Sequence, residues 1–258
     1  MECGIETIDE RKGNAVMKRE YHRWHSAALN RDMELLVFGS AGPRMLVFPS
    51  RKQRFFEYEE RGMIECFRRR LEAGEMQIIC VDSIDSESLY CFEKKPQERI
   101  ERHIQFERYI IEEVLPFSER SNPDTSLTAH GCSFGAYHAM TIALRHPQKF
   151  HRVLALSGRY DLTLHAGQFH SLFHGFYDQS LHSLMPSHFV PDLSEPQQLQ
   201  PIRELSLTLV IGADDPFYED NLALSRAFTE KQISHELHAW SGHAHRFQEW
   251  RQMAPLYS

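Results

Sequence analysis

One pentapeptide constrains this chain more than any other feature: Gly131-Cys132-Ser133-Phe134-Gly135. Glycine at the first and fifth positions with serine at the third suits a sharp strand-to-helix turn, because a side chain at either glycine would collide with neighbouring backbone. The flanks fit that reading. Leu127-Thr128-Ala129-His130 reads as the entering strand, and Ala136 to Arg145 as a helix rich in small residues, stopped by Pro147. Such a turn exposes the Ser133 hydroxyl as a nucleophile.

Apolar runs recur on both sides of this turn. Residues 33–39, 45–49, 76–81, 153–157, 207–212 and 235–240 read as strands, with an extended stretch from Tyr21. Helices are expected over 58–73, ended by Gly74, over 221–231 and at the C-terminus. A long helix opens at Pro96 and repeats apolar positions at Ile100, Ile104, Ile111, Val114 and Leu115. Strands alternating with helices predict an α/β fold, a mostly parallel sheet covered on both faces.

Residues 17–258 are expected to form a single domain, with 1–16 a flexible N-terminal extension and Met17 an alternative start. The stretch from Tyr160 to Arg203 breaks the rhythm and interleaves five histidines with Phe169, Phe173, Phe176 and Tyr177. An excursion there would lie over the carboxyl ends of the strands as a lid, or its aromatics simply pack. Its histidines leave metal binding open.

Charge narrows the partners. With 29 basic against 36 acidic residues the net charge is -7, which argues against nucleic acid and against an anionic membrane. No run approaches the ~18 apolar residues of a membrane span. Five cysteines, odd in number and without Cys-x-x-Cys spacing, point to a reducing cytoplasm rather than to disulfides or a zinc ribbon. Oligomeric state leaves no trace in the sequence.

A serine hydroxyl attacks only when a histidine takes its proton and a carboxylate orients that histidine. The expected chain order is serine, acid, histidine. Asp215 lies in the loop after the strand ending at Gly212, with Asp214 and Asp220 also available. Ser241-Gly242-His243-Ala244-His245 follows the last strand, and either histidine can serve as base. A developing oxyanion needs two donors: the Phe134 N–H after the nucleophile, and an N–H from the loop after an early strand, here Ser50. No cofactor or metal is required.

These residues sit within a wider pattern. Arg31-Asp32-Met33-Glu34, Val47-Phe48-Pro49-Ser50 leading into Phe55-Phe56-Glu57-Tyr58-Glu59, Val81-Asp82-Ser83-Ile84-Asp85 and Glu112-Glu113-Val114-Leu115-Pro116 precede the pentapeptide. Leu156-Ser157-Gly158-Arg159-Tyr160-Asp161 and the Gly212 to Pro216 loop follow it. In this order the motifs resemble the putative-esterase branch of the α/β-hydrolase superfamily, relatives of S-formylglutathione hydrolases, enterochelin esterases and mycolyltransferases. The resemblance runs from about Met17 to Tyr257.

It implies an α/β-hydrolase fold and a serine carboxylic-ester hydrolase acting on a small-molecule ester through an acyl-enzyme. In relatives the catalytic histidine precedes a tryptophan by five residues, which selects His245 ahead of Trp250 and, by the same comparison, Asp215 as the acid. Relatives usually carry Asp-Trp-Pro directly after the histidine, where this chain has Arg246-Phe247-Gln248. An acyltransferase on the same triad and a non-catalytic binding protein are the competing readings. The acidic net charge and the aromatic excursion hint at an uncharged or weakly polar acyl group.

Overall fold

Alternation of side chains along the apolar strands builds a sheet with two buried faces. Leu35 and Val37 enter one hydrophobic layer while Leu36 and Phe38 enter the other, and Ile79 and Val81 alternate with Ile78 and Cys80 in the same way. The computed structural model describes residues 17–258, so the extension expected over residues 1–16 lies outside the described residues.

The chain opens with β1 (Arg19–Ser26), β2 (Arg31–Phe38) and β3 (Arg44–Phe48). Two short helices follow, α1 (Glu57–Glu60) and α2 (Arg68–Glu72), then β4 (Gln77–Val81). The helix expected over 58–73 is thus interrupted. Gly62 turns left-handed at φ 70°, and a 3-10 turn over Ile64–Phe67 separates the halves.

The helix opened by Pro96 forms as read, α3 (Pro96–Tyr109), and continues through a π turn over Ile110–Val114 into α4 (Leu115–Ser121). Pro116 has no N–H to donate and its ring crowds the preceding turn, so the ladder widens just ahead of it.

β5 (Leu127–Cys132) then runs into α5 (Phe134–Arg145), and β6 (Arg152–Leu156) follows. The excursion carries three short helices, α6 (Gln179–His182), α7 (Pro186–Asp192) and α8 (Pro196–Arg203). β7 (Ser206–Gly212), α9 (Tyr218–Glu230), β8 (His235–Trp240) and α10 (Phe247–Tyr257) complete the described chain.

The eight strands lie in the order β1-β2-β4-β3-β5-β6-β7-β8. The β1–β2 and β2–β4 pairings are antiparallel and the other five are parallel. β5 is therefore flanked by β3 and β6, and the carboxyl ends of β3, β5, β7 and β8 open toward one rim. That rim is where open α/β sheets hold their sites.

Candidate active site

Ser133 follows the last residue of β5 with φ 55° and ψ -117°, a left-handed backbone that a serine adopts only under constraint. The constraint comes from its neighbours. A Cβ on Gly131 would overlap the Gly135 carbonyl group, and one on Gly135 would overlap the carbonyl oxygen of Phe48 in β3. The two glycines let the turn close against the sheet. The Ser133 N–H donates to the Leu156 carbonyl at 2.8 Å, tying the turn to β6.

Three loops meet above this serine. His245 Nε2 lies 2.9 Å from Ser133 Oγ, and His245 Nδ1 lies 2.7 Å from Asp215 Oδ2. Since Nδ1 faces a carboxylate, it carries the proton, which leaves Nε2 to accept from the serine hydroxyl. Asp215 is fixed in turn, its other oxygen accepting the Phe217 N–H at 2.9 Å, and its side chain is fully buried.

The alternatives fall elsewhere. Asp214 is exposed, while Asp220 accepts from the Tyr160 and Asp161 N–H groups and from Ser187 Oγ, so it ties the excursion to α9. His243 is exposed, 6.0 Å from the His245 ring between centroids. Trp250 packs edge-on against His245 at 5.2 Å and donates through Nε1 to Ser157 Oγ at 3.1 Å. Phe247, in the stretch where relatives carry Asp-Trp-Pro, packs on Trp250 at 5.0 Å and lines the cleft.

Sequence reasoning placed the second oxyanion donor at Ser50, and here the geometry differs. The Ser50 N–H donates to Glu57 at 2.7 Å and its hydroxyl donates to the same carboxylate at 2.5 Å. Burial pushes the Glu57 carboxyl up, against the pull of these two hydrogen bonds. Ser50 is thus engaged in holding its own turn. Gln53 N–H closes that turn onto the Ser50 carbonyl, and Lys52 N–H donates to Asp85. Among the described residues, neither the neighbouring Arg51 N–H in this turn nor the Phe134 N–H at the start of α5 has an acceptor. A contact between Glu57 and a turn seven residues earlier leaves no signature in local sequence.

Ser133 and His245 open into a cleft of about 500 Å³. Four guanidinium groups line it, those of Arg51, Arg61, Arg159 and Arg246, and no carboxylate side chain does. Sequence reasoning missed this convergence, because the four residues come from four separate loops with no shared spacing. From the excursion, Phe169 reaches the cleft and meets Phe217 at 4.7 Å, whereas Phe173 is buried with Leu172, Leu181 and Leu184. The excursion therefore both lines the cleft and packs. Two of its histidines pair locally, His182 with Asp192 and His188 with Asp161 and Tyr177. Among the described residues no group of three or more His, Cys, Asp or Glu side chains is placed to hold a metal ion.

Residues 59–255 match the family described as "Putative esterase". The chain belongs to this family. It is an esterase of the α/β-hydrolase superfamily. The fold is similar to that of an S-formylglutathione hydrolase from Agrobacterium tumefaciens, with a TM-score of 0.74 at 16% identity, covering 100% of this chain and 97% of that one. A ferulic acid esterase gives 0.72 at 16% identity over 93% and 96% of the two chains. FphF, a fluorophosphonate-binding serine hydrolase of Staphylococcus aureus, gives 0.63 at 16% over 93% and 96%. Among curated proteins none matches this sequence. Within the described part of the esterase, no helix is long and apolar enough to cross a membrane.

Proposed function

We propose that this esterase hydrolyses carboxylic esters through an acyl-enzyme on Ser133, with His245 as general base and Asp215 as its orienting carboxylate. The observation that carries this reading is the unbroken relay from Ser133 Oγ to His245 Nε2 at 2.9 Å and from His245 Nδ1 to Asp215 Oδ2 at 2.7 Å. Ser133 Oγ bonds to the ester carbonyl carbon as its proton passes to His245. The tetrahedral centre collapses, the carbon–alkoxy bond breaks, and the imidazolium returns the proton to the leaving alcohol. Water, deprotonated by the same imidazole, then attacks the acyl-serine and releases the acid and the free hydroxyl.

The oxyanion needs donors that are not already spent. The Phe134 N–H meets that requirement at the positive end of α5. The Ser50–Arg51 turn supplies the second donor, and since Glu57 occupies the Ser50 N–H, the Arg51 N–H takes the role. The His245 ring, packed against Trp250 and flanked by Phe217 at 5.9 Å, has little freedom to leave the serine.

The test is release of 4-nitrophenol from acetate and butyrate esters by the wild type beside Ser133→Ala and His245→Ala. The reading predicts turnover by the wild type and loss of about 10⁴-fold or more in both variants. Turnover retained in Ser133→Ala would overturn it.

A further inference from the structure

The acidic balance of the whole chain makes its cleft unusual. With 36 acidic and 29 basic residues, a cleft drawn at random would hold acids at least as often as bases. This one is lined by four arginines and no carboxylate. Arg246 is paired, at 2.6 Å from Glu249, but no acid lies within ion-pair distance of Arg51, Arg61 or Arg159 among the described residues.

Arg159 is the more telling case, because it is only 3% exposed. Its Nε and Nη2 donate to main-chain carbonyls of Asp161, Leu162, Leu164 and His170, and its guanidinium sits 5.6 Å over the Phe217 ring. Carbonyl dipoles take the Nε and Nη2 hydrogens without neutralising the charge. A buried cation with no carboxylate in direct contact is costly, and burial lowers its pKa, against the opposing pull of Tyr90, Asp220 and Asp161. Arg51 stands on the same flank, 5.9 Å from the Tyr90 ring and 5.8 Å from Phe169. Tyr90 packs on Phe134 at 4.9 Å, and Phe169 lies 6.3 Å from His245. The two guanidinium groups therefore share a wall with the reacting serine and histidine.

Resting on the reading of Ser133 as nucleophile, we infer that the substrate carries an anionic group, a carboxylate or phosphate, received by the Arg51 guanidinium above the fixed charge of Arg159. This departs from the uncharged or weakly polar acyl group that the acidic net charge and the aromatic excursion suggested. The sum of charges over a surface says little about a cleft that concentrates one sign. The anion can belong to the acid or to the alcohol of the ester, and matched substrates separate the two sources.

The acid-side pair is the mono-4-nitrophenyl ester of adipic acid against 4-nitrophenyl hexanoate. The alcohol-side pair is 4-acetoxybenzoate against its methyl ester. Wild-type kcat/KM is expected to favour the anionic member of at least one pair by tenfold or more, as charge-assisted hydrogen bonds to arginine allow. Arg51→Gln, which keeps the backbone N–H, should cut that anionic-to-neutral ratio at least fivefold, and raising KCl from 50 to 500 mM should lower it in the wild type. Equal or better use of the neutral member in both pairs would overturn the inference, as would a ratio unmoved by Arg51→Gln. If neutral esters are turned over by the wild type and not by Ser133→Ala, such a result rejects the anion site and leaves the serine chemistry standing. No turnover of any of the four esters rejects both.

Discussion

At the scale of single residues, the site depends on side chains whose partners are already committed. Asp215 has both oxygens engaged and no exposure, so it holds one tautomer of His245 rather than exchanging protons with it. Asp215→Asn keeps the shape but faces the ring with an amide donor in one orientation and favours the wrong tautomer. We expect kcat to fall by about 10⁴-fold with the folded state retained, as steady-state kinetics beside circular dichroism would report. Asp214→Asn changes an exposed residue that touches neither His245 nor Ser133, and should leave kcat within about twofold. The pentapeptide and the last His-x-His were legible because turn chemistry and chain order both speak there. What was not legible is that the Ser50 N–H is taken by Glu57, a neighbour brought in by the fold.

Elements, next, explain why the serine can be strained at all. β5 delivers Ser133 between β3 and β6, and α5 packs back over the same strands with no room for a side chain at either flanking glycine. Gly135→Ala would drive a methyl group into the carbonyl oxygens of Phe48 and Pro49, a clash that no rotamer relieves. Destabilisation of at least about 3 kcal/mol is expected, read as a lower urea midpoint. Apolar runs made the central strands plain in sequence, and Pro96 marked the start of α3. The break of the helix read over 58–73 was not plain. Gly62 falls inside the span read as a helix, and its left-handed turn declares itself only once Met63, Ile64 and Phe67 are buried.

Taken as a whole, the molecule buries titratable groups that set how it responds to acid. His103 has neither ring nitrogen partnered, and burial, with His138 nearby, lowers its pKa to about 3. Burial lowers His130 to about 4, against the help of the Leu154 carbonyl. Both folded-state values lie below the ordinary 6.5, so the unfolded chain gains protons first as pH falls. Their stabilising contribution is present above pH 6.5 and is lost on the way down, by up to about 1.4 kcal/mol per pH unit for each. Melting temperature should therefore fall between pH 6.5 and 5, and His103→Phe should flatten the slope; an unchanged slope would count against this assignment. Burial opposes the Glu107 charge, but His146 and Arg145 hold its carboxyl at about 2. Its share is present above pH 4.5 and is lost as pH falls from there toward 2. The arginine-lined cleft belongs to this scale too. Composition reported an acidic protein, and only the convergence of four loops shows where the positive charge gathers.

The central claim, that Ser133 takes the acyl group, is tested most directly by mapping a covalent adduct. The protein is treated with a fluorophosphonate, digested and analysed by mass spectrometry. The account predicts one adduct, on the peptide that contains Ser133, and none in a folded Ser133→Ala variant. An adduct on another residue, or labelling that persists in the variant, would contradict it.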